Sequence, residues 1–244
     1  MLLEATIWYG GAMADERAML REAMARMHPL WGEQLCLDFA NTVEPRGAPA
    51  PFTPPPGHER RDSLRSYTDL VAWATFAGVI TEEVALGLLA RAAARPAAAV
   101  TLARAIALRE AIYRLFWMVA REETPRADDL ALLAEEYAAG AAHAALAPTD
   151  DGFVWSWAAH DGDLARPLWP LAWSATALLT TGERRRVKIC PGSPGTAITC
   201  AWLFYDTTKN RIRQWCSMAD CGGKAKARRQ TGRRRAARAT HPVH

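Results

Sequence analysis

The sequence predicts an α+β fold, in which a mostly helical N-terminal domain with a short strand pair precedes a small module made of a β-hairpin and a basic helix. Three observations support this prediction. Apolar residues recur at helical spacing through the middle of the chain, four of the five cysteines lie in the last quarter, and that quarter is strongly basic. We expect an N-terminal extension with a helix over residues 1–31, a helical domain over 32–183 and the basic module over 184–244.

The composition is that of a globular protein. Half of the 244 residues are hydrophobic and ten are Trp, more large side chains than a disordered chain carries. The apolar stretch Leu168–Leu179 contains Pro170 and is too short to span a bilayer, and the N-terminus lacks the pattern of a secretory signal. We therefore expect a cytoplasmic protein that does not bind membranes, with Met13 as an alternative start to Met1.

Helices are predicted over most of the N-terminal domain. Thr81 is a good N-cap, and Pro96 fits the first turn of a long helix. Along that helix, helical spacing separates the apolar residues Leu108, Ile112, Leu115 and Val119, which we expect in the core. In order, the predicted helices cover Asp15–Met27, Asp69–Ala77 before Gly78, the segment after Thr81, Pro96 to about Glu122, Thr124-Pro125 through Tyr137, and Asp163 to about Gly182.

Two strands and one irregular loop complete this domain. Partial alternation predicts a strand over Leu35–Val43, either alone or leading into a helix, and β-forming residues predict another over Phe153–Trp157. Between them, residues 44–60 contain six prolines and form an irregular loop. The isolated Cys36 is predicted to be a small hydrophobic residue of the core.

Charge is distributed unevenly along the chain. Residues 184–244 contain 15 Lys or Arg and two acids, a net charge of +13, whereas residues 1–183 carry −9. A segment this basic repels itself unless a polyanion is near, which favours nucleic acid as a partner. A solvated basic tail is the alternative interpretation of the charge alone.

The clustered cysteines predict a metal site. In a reducing compartment, four thiols within 32 residues indicate Zn²⁺ ligation before disulfides, and four sulfurs leave no open position for catalysis. Two pairs supply the ligands: Cys190 and Cys200, with nine residues between them, and Cys216 and Cys221, with four residues between them and two glycines after them. A structural zinc contributes roughly 10 to 16 kcal/mol to such a small fold.

The segments around the second pair predict how the module folds. Residues Ala201–Trp215, with aromatic ends and a polar centre at Lys209-Asn210, are predicted to form a β-hairpin. The basic segment after Cys221 is compatible with a helix. Knuckle, hairpin and helix in this order are typical of a treble-clef finger.

The string RQWCSMADCGGKAKARR from Arg213 resembles the CGNR zinc finger, and Cys190 with AWLFYD matches the first half of that family. LCLDFANTV and SYTDLVAWATFAGVIT resemble the ABATE domain, found in stress-induced transcription regulators that carry this finger. The resemblance covers about residues 32–235. It departs from the family at Gly223-Lys224, which replace Asn-Arg, and in the wide Cys190–Cys200 gap. Lys cannot make the planar fork that Arg offers to phosphate or guanine.

The resemblance and the charge together predict a DNA-binding transcription regulator with modest sequence specificity. The residues expected to contact nucleic acid are Lys224, Lys226, Arg228, Arg229 and Arg233 on the basic helix, with Arg211 and Arg213 on the hairpin. The helical domain is expected to sense an unidentified small-molecule signal or to drive assembly, for example as a homodimer.

Two other function classes remain open. The finger could bind RNA or dock a protein, because a fold does not fix a function. An enzyme with a site in the helical domain is the third hypothesis, with Asp38 and Asn41 as its polar groups. The sequence contains no phosphate loop, nucleophile elbow or His-Glu metal motif, so we expect no enzymatic activity.

Overall fold

A computed structural model describes residues 15–47, 60–93, 95–193 and 200–239, with side chains up to residue 234 at the C-terminal end. These ranges are mostly helical and contain three two-stranded antiparallel sheets, so the predicted α+β class is confirmed. Among the described helices, none is long and apolar enough to cross a membrane. The alternative start at Met13 and most of the Pro-rich loop 44–60 lie outside the described residues.

The described part of the N-terminal domain contains seven α-helices. They are α1 (15–25), α2 (Leu35–Ala40), α3 (Tyr67–Phe76), α4 (Glu82–Ala92), α5 (Pro96–Ala120), α6 (Ala127–Ala141) and α7 (Trp169–Thr180). Thr81 caps α4 by accepting a hydrogen bond from the backbone N–H of Val84, as predicted, and Pro96 occupies the first turn of α5. These predicted helices are confirmed, with ends that differ by a few residues.

Helix α5 is the centre of the core. Of its predicted apolar stripe, Leu108, Ile112 and Leu115 are fully buried, and Val119 is partly buried against the same core. The helix contacts α2, α3, α6 and the first strand of the C-terminal module. Cys36 is also fully buried in this core, as predicted, and burial raises the pKa of its thiol to about 12.

The predicted strand over Leu35–Val43 is wrong for most of its length. Residues 35–40 form α2, and only Val43–Glu44 is a strand, β1, which pairs antiparallel with β2 (Arg61–Asp62). The buried positions are Cys36, Leu37, Phe39 and Ala40, which lie three and four residues apart as on one helix face. The pattern was therefore helical, although part of it also alternates.

A second strand pair stands at the edge of the helical domain. The strand predicted near Phe153 is confirmed as β4 (Gly152–Ser156), and it pairs with β3 (Ala145–Thr149). The Ala-rich composition of β3 carried no strand signal. Leu146, Phe153, Val154 and Trp155 are exposed large hydrophobic residues on this hairpin.

The hairpin predicted over Ala201–Trp215 is also wrong. β6 (Leu203–Tyr205) pairs with β5 (Val187–Ile189), upstream of it, and not with residues 211–215. The segment after β6 is instead a loop, because the carboxylate of Asp206 accepts hydrogen bonds from the backbone N–H groups of Thr208 and Arg213 and fixes it in place. A π-helical turn, Met218–Gly222, then leads into α8 (Gly223–Ala239).

The C-terminal module packs tightly against the helical domain. Val187 and Leu203 belong to the main hydrophobic core. Asn41, at the end of α2, forms two hydrogen bonds with the backbone of Leu203. Its side-chain amide donates to the carbonyl at 2.8 Å, and its side-chain oxygen accepts from the N–H at 2.9 Å. The hydroxyl of Tyr113 on α5 donates to the carbonyl of Ala201 at 2.9 Å. The module therefore rests on α2 and α5.

Candidate metal centre and basic helix

Four cysteine sulfurs converge at one point of the C-terminal module. The Sγ atoms of Cys190, Cys200, Cys216 and Cys221 all lie within 4.8 Å of one another, and those of Cys200 and Cys216 are 3.8 Å apart. Ligands at the corners of a tetrahedron, each about 2.3 Å from a central zinc, are about 3.8 Å from each other. The spacing therefore fits a tetrahedral metal site, and these residues are the four predicted from the sequence.

The strand pair positions the first two sulfurs. Cys190 directly follows β5, and its N–H donates to the carbonyl of Trp202 at 2.8 Å while its carbonyl accepts from the N–H of Ala201 at 3.0 Å. These bonds extend the β5–β6 ladder beyond the regular strands, so Cys200 returns beside Cys190 although nine residues separate them. The wide gap in the sequence therefore does not prevent the sulfurs from meeting.

The π-helical turn positions the other two sulfurs. Ser217 caps this turn by accepting from the N–H of Ala219 at 3.0 Å, and the N–H of Gly222 donates to the carbonyl of Ser217 at 2.9 Å. A Cβ atom at Gly223 would lie 2.9 Å from the carbonyl oxygen of Met218, so a larger residue there would have to shift the backbone. Gly223 therefore allows α8 to begin directly after the π-helical turn that carries Cys221.

Hydrogen bonds within the cluster shift the pKa values of Cys190, Cys200 and Cys216 in different directions. Hydrogen bonds from Cys200, and then from Cys216 and Cys221, lower the pKa of Cys190, whereas the pKa of Cys200 and that of Cys216 are raised, first of all by their hydrogen bonds with Cys190. A second thiolate beside the first is costly because the sulfurs are close together and mostly buried. Full deprotonation therefore requires a cation among them.

The basic helix begins directly at this cluster. Helix α8 contains eight Lys or Arg residues and no acid, and it contacts the rest of the module at its first turn, where Ala225 is fully buried. All five of the predicted nucleic-acid residues on this helix are exposed, namely Lys224, Lys226, Arg228, Arg229 and Arg233. The structure thus brings these five cations together along one element.

Lys224 and Arg229 have partners within the finger. The ammonium of Lys224 pairs with Asp220 one turn earlier, and the guanidinium of Arg229 lies 5.5 Å from the ring centroid of Trp215. The first contact ties α8 to the π-helical turn, and the second ties it to Trp215 in the segment before that turn. The charges remain at the surface.

The two arginines predicted to extend the nucleic-acid surface are placed differently. Arg213 is mostly buried, and its guanidinium donates to the carbonyl oxygens of Trp31 at 2.9 Å and Trp215 at 3.0 Å and pairs with Glu33 at 3.0 Å. It also lies over the ring of Phe204. This geometry gives Arg213 a structural role, so Arg213 is not part of the proposed nucleic-acid surface.

Arg211 is half-exposed and forms an ion pair with Glu183 at 2.8 Å. Its φ of 54° places it in the left-handed region, at the end of the loop that Asp206 holds. Arg211 therefore lies on this loop, whereas the other five predicted cations lie on α8.

The ion pair that supports this loop was not predicted from the sequence. Asp206 is fully buried and accepts from Lys188 Nζ at 2.6 Å, while the same Nζ donates to the carbonyls of Arg211 at 2.6 Å and Arg213 at 3.0 Å. Burial alone would raise the pKa of Asp206, but the hydrogen bonds from Lys188 and Thr208 outweigh it and lower the pKa to about 2. The sequence signal that could have indicated this buried carboxylate is a single acid directly after the apolar string LFY.

Four converging cysteines, a strand pair and a basic helix define this protein as a zinc finger protein with a helical N-terminal domain. Two family models match it in that order: ABATE, "Putative stress-induced transcription regulator", over residues 33–182, and the CGNR zinc finger over residues 186–234. The chain belongs to the ABATE family, and it carries the CGNR finger behind that domain. The resemblance seen in the sequence is confirmed. No curated protein matches the chain.

Proposed function

We propose that this protein is a transcription regulator that binds DNA through α8 of its zinc finger. The observation that carries this proposal is the position of the helix: α8 starts two residues after Cys221, with eight cations and no acid. A helix fixed at one end by a metal site presents its charges in a defined direction, whereas a disordered basic tail does not. The family description, a stress-induced transcription regulator, supports this proposal.

Zn²⁺ is the metal that we propose for the cluster. Four cysteine sulfurs at tetrahedral spacing are the donor set of structural zinc, which when bound supplies cross-linking and neutralises thiolate charge. Cys190 and Cys200 would hold it from the strand pair, and Cys216 and Cys221 from the turn before α8. The site contributes to folding and not to a reaction, since no ligand position remains for water.

Double-stranded DNA is a better fit for α8 than double-stranded RNA. The major groove of B-DNA is about 12 Å wide and admits an α-helix, whereas the major groove of A-form RNA is deep and narrow. Lys226 and Arg233 are seven residues apart, so they lie on one face of α8 and can contact the same groove or its phosphates.

A salt titration tests this proposal. Each phosphate contact steepens the log–log dependence of affinity on salt by about 0.9, so the double variant Lys226→Gln, Arg233→Gln should reduce the slope by about 2 on duplexes of unrelated sequence. The control variant Arg21→Gln, Arg95→Gln removes the same charge from exposed positions of the helical domain and should leave the slope unchanged. Equal slopes for both variants would contradict the proposal. Tighter binding to an RNA duplex of the same sequence would favour the RNA alternative.

We also propose that the protein is not an enzyme and that its helical domain serves sensing or assembly in the cytoplasm. Both polar groups considered for catalysis have structural partners. Asn41 pairs with the backbone of Leu203, and Asp38 Oδ1 accepts from the N–H of Gly32 at 2.7 Å. These hydrogen bonds occupy the side-chain amide of Asn41 and one carboxylate oxygen of Asp38, which are groups that a reaction would need.

A homodimer is the assembly that we propose, because a single short basic helix grips DNA weakly and a linked second copy multiplies the affinity. Light scattering at micromolar concentration should give twice the mass of the 26.8 kDa chain. A monomeric mass with and without DNA would contradict this proposal.

A further inference from the structure

A basic cavity of about 500 Å³ opens on the N-terminal domain. It is lined by Arg26, Arg60, Arg61 and Arg65, together with His28 and Ser63. Four arginines in one cavity stand out in a domain where residues 1–183 carry a net charge of −9. The cavity has the size of small-molecule sites, which range over roughly 300 to 1,000 Å³.

The cavity retains positive charge after its internal ion pairs are counted. Its lining acid, Asp62, is neutralised from the core, because both carboxylate oxygens accept from Arg109, at 2.6 and 2.8 Å. Arg61 pairs with Glu44 at 3.1 Å. Arg60 and Arg65 are exposed, and neither forms an ion pair within the described part of the chain. Two guanidinium groups are therefore available to an anion.

The buried carboxylate of Asp69 fixes the walls of the cavity. Asp69 is 4% exposed and accepts from the N–H of Arg65 at 3.1 Å, the hydroxyl of Ser66 at 2.9 Å and the guanidinium of Arg26 at 3.3 Å. It thereby ties the start of α3 to the end of α1. Cations on a fixed frame lose little freedom when they bind a ligand, which raises affinity.

We propose that this cavity binds a small polyanion that carries phosphoryl groups. Guanidinium groups donate paired hydrogen bonds that match phosphate oxygens, and the side chains that line the cavity are all polar or charged. The proposal is independent of nucleic-acid binding by α8.

A small anion fits the cavity better than a nucleic-acid strand does. An acid, Glu44, lies beside the cavity, where its carboxylate pairs with Arg61 at 3.1 Å. A negative side chain at this position repels a phosphate backbone that crosses the cavity, whereas a small anion held by Arg60 and Arg65 avoids that contact.

The cavity also touches the zinc finger. The ring of His28 packs edge-on against Trp202, with centroids 5.5 Å apart, and Trp202 follows Cys200 by two residues. His28 Nδ1 lies 3.6 Å from the carboxylate of Glu44. An anion that competes with Glu44 for Arg61 would therefore change the charges beside the finger, which is where a signal could reach α8.

Calorimetric titration of the full-length protein with inorganic pyrophosphate tests the proposal. We expect saturable binding of one pyrophosphate per chain, and we expect Arg60→Gln, Arg65→Gln to weaken it by about tenfold or more, since each guanidinium makes charge-assisted hydrogen bonds. The control Arg21→Gln, Arg95→Gln should keep the affinity, and so should Lys226→Gln, Arg233→Gln on α8. Removal of a bound metal by pyrophosphate would affect all variants alike, so the difference in affinity between variants is the quantity that decides.

Three results would overturn the proposal. Equal affinities of the cavity variant and the control would show that pyrophosphate binds elsewhere. Binding that does not saturate at one per chain would show only general attraction to a basic protein. A cavity variant that keeps its pyrophosphate affinity but lowers the salt slope of DNA binding would assign the arginines to the nucleic-acid surface.

Discussion

Replacement of Asn41 by alanine should loosen the zinc finger from the helical domain. The side chain of Asn41 is 3% exposed and satisfies both backbone groups of Leu203, which is itself fully buried. The variant leaves that N–H and that carbonyl without partners in a site that water does not reach. Each unsatisfied buried group costs about 1–3 kcal/mol, so the two groups together lower the free energy of unfolding by about 2–6 kcal/mol.

This loss is large against the roughly 5–15 kcal/mol that stabilises a typical domain. Urea unfolding followed by tryptophan fluorescence measures it, because Trp202 lies in the finger beside this contact. The release of metal to a chromophoric chelator should also become faster, since β6 carries part of the frame that holds Cys190. Asn210→Ala, at an exposed position after the same strand, is the matched control and should behave as the wild type.

An Asn41→Ala variant with wild-type stability and wild-type metal release would refute this reasoning. It would mean that the finger keeps its structure without support from α2. The contacts between the two parts would then be incidental to the metal site.

Two further substitutions test how buried polar groups hold the module. Arg213→Lys should lower the free energy of unfolding by about 1–3 kcal/mol, because one ammonium group cannot replace the planar guanidinium that reaches Trp31, Trp215 and Glu33 together. Urea unfolding measures this loss, and an unchanged unfolding midpoint would contradict the prediction. Asp38→Asn tests pH dependence, because burial, and then the charge of Glu33, raise the pKa of Asp38 to about 7. The carboxyl group of the folded protein therefore holds its proton more tightly than that of the unfolded chain. The free energy of unfolding of the wild type consequently falls as pH rises from about 4 through 7. The variant should therefore gain about 1–3 kcal/mol on the wild type between pH 5 and pH 8, and a pH-independent difference would argue against this.

The sequence predicted the elements whose signals are local. Thr81 and Pro96 mark helix starts by their own chemistry, and the stripe on α5 is long enough to identify a helix without tertiary information. The four metal-ligand positions were likewise predicted, because thiols that cluster in a reducing compartment are metal ligands far more often than they are disulfides. These predictions needed no knowledge of the neighbouring elements.

The errors concern segments whose structure depends on a distant partner. β6 pairs with β5, and this pairing brings Cys200 back beside Cys190. No residue pattern within Ala201–Trp215 indicates that β5 is the partner. Asp206 and Arg213 are surface residues by type, yet Asp206 is fully buried and Arg213 is mostly covered, by partners that a single sequence does not display. In α2, six residues were too few for periodicity to separate a helix from a strand.

X-ray absorption spectroscopy of the zinc-loaded protein tests the central claim most directly. If Cys190, Cys200, Cys216 and Cys221 hold one ion and thereby fix α8, the zinc shell contains four sulfurs at about 2.3 Å and no nitrogen or oxygen ligand. A shell with two or three sulfurs completed by water or imidazole would contradict the claim, because the helix would then not be anchored by the four cysteines.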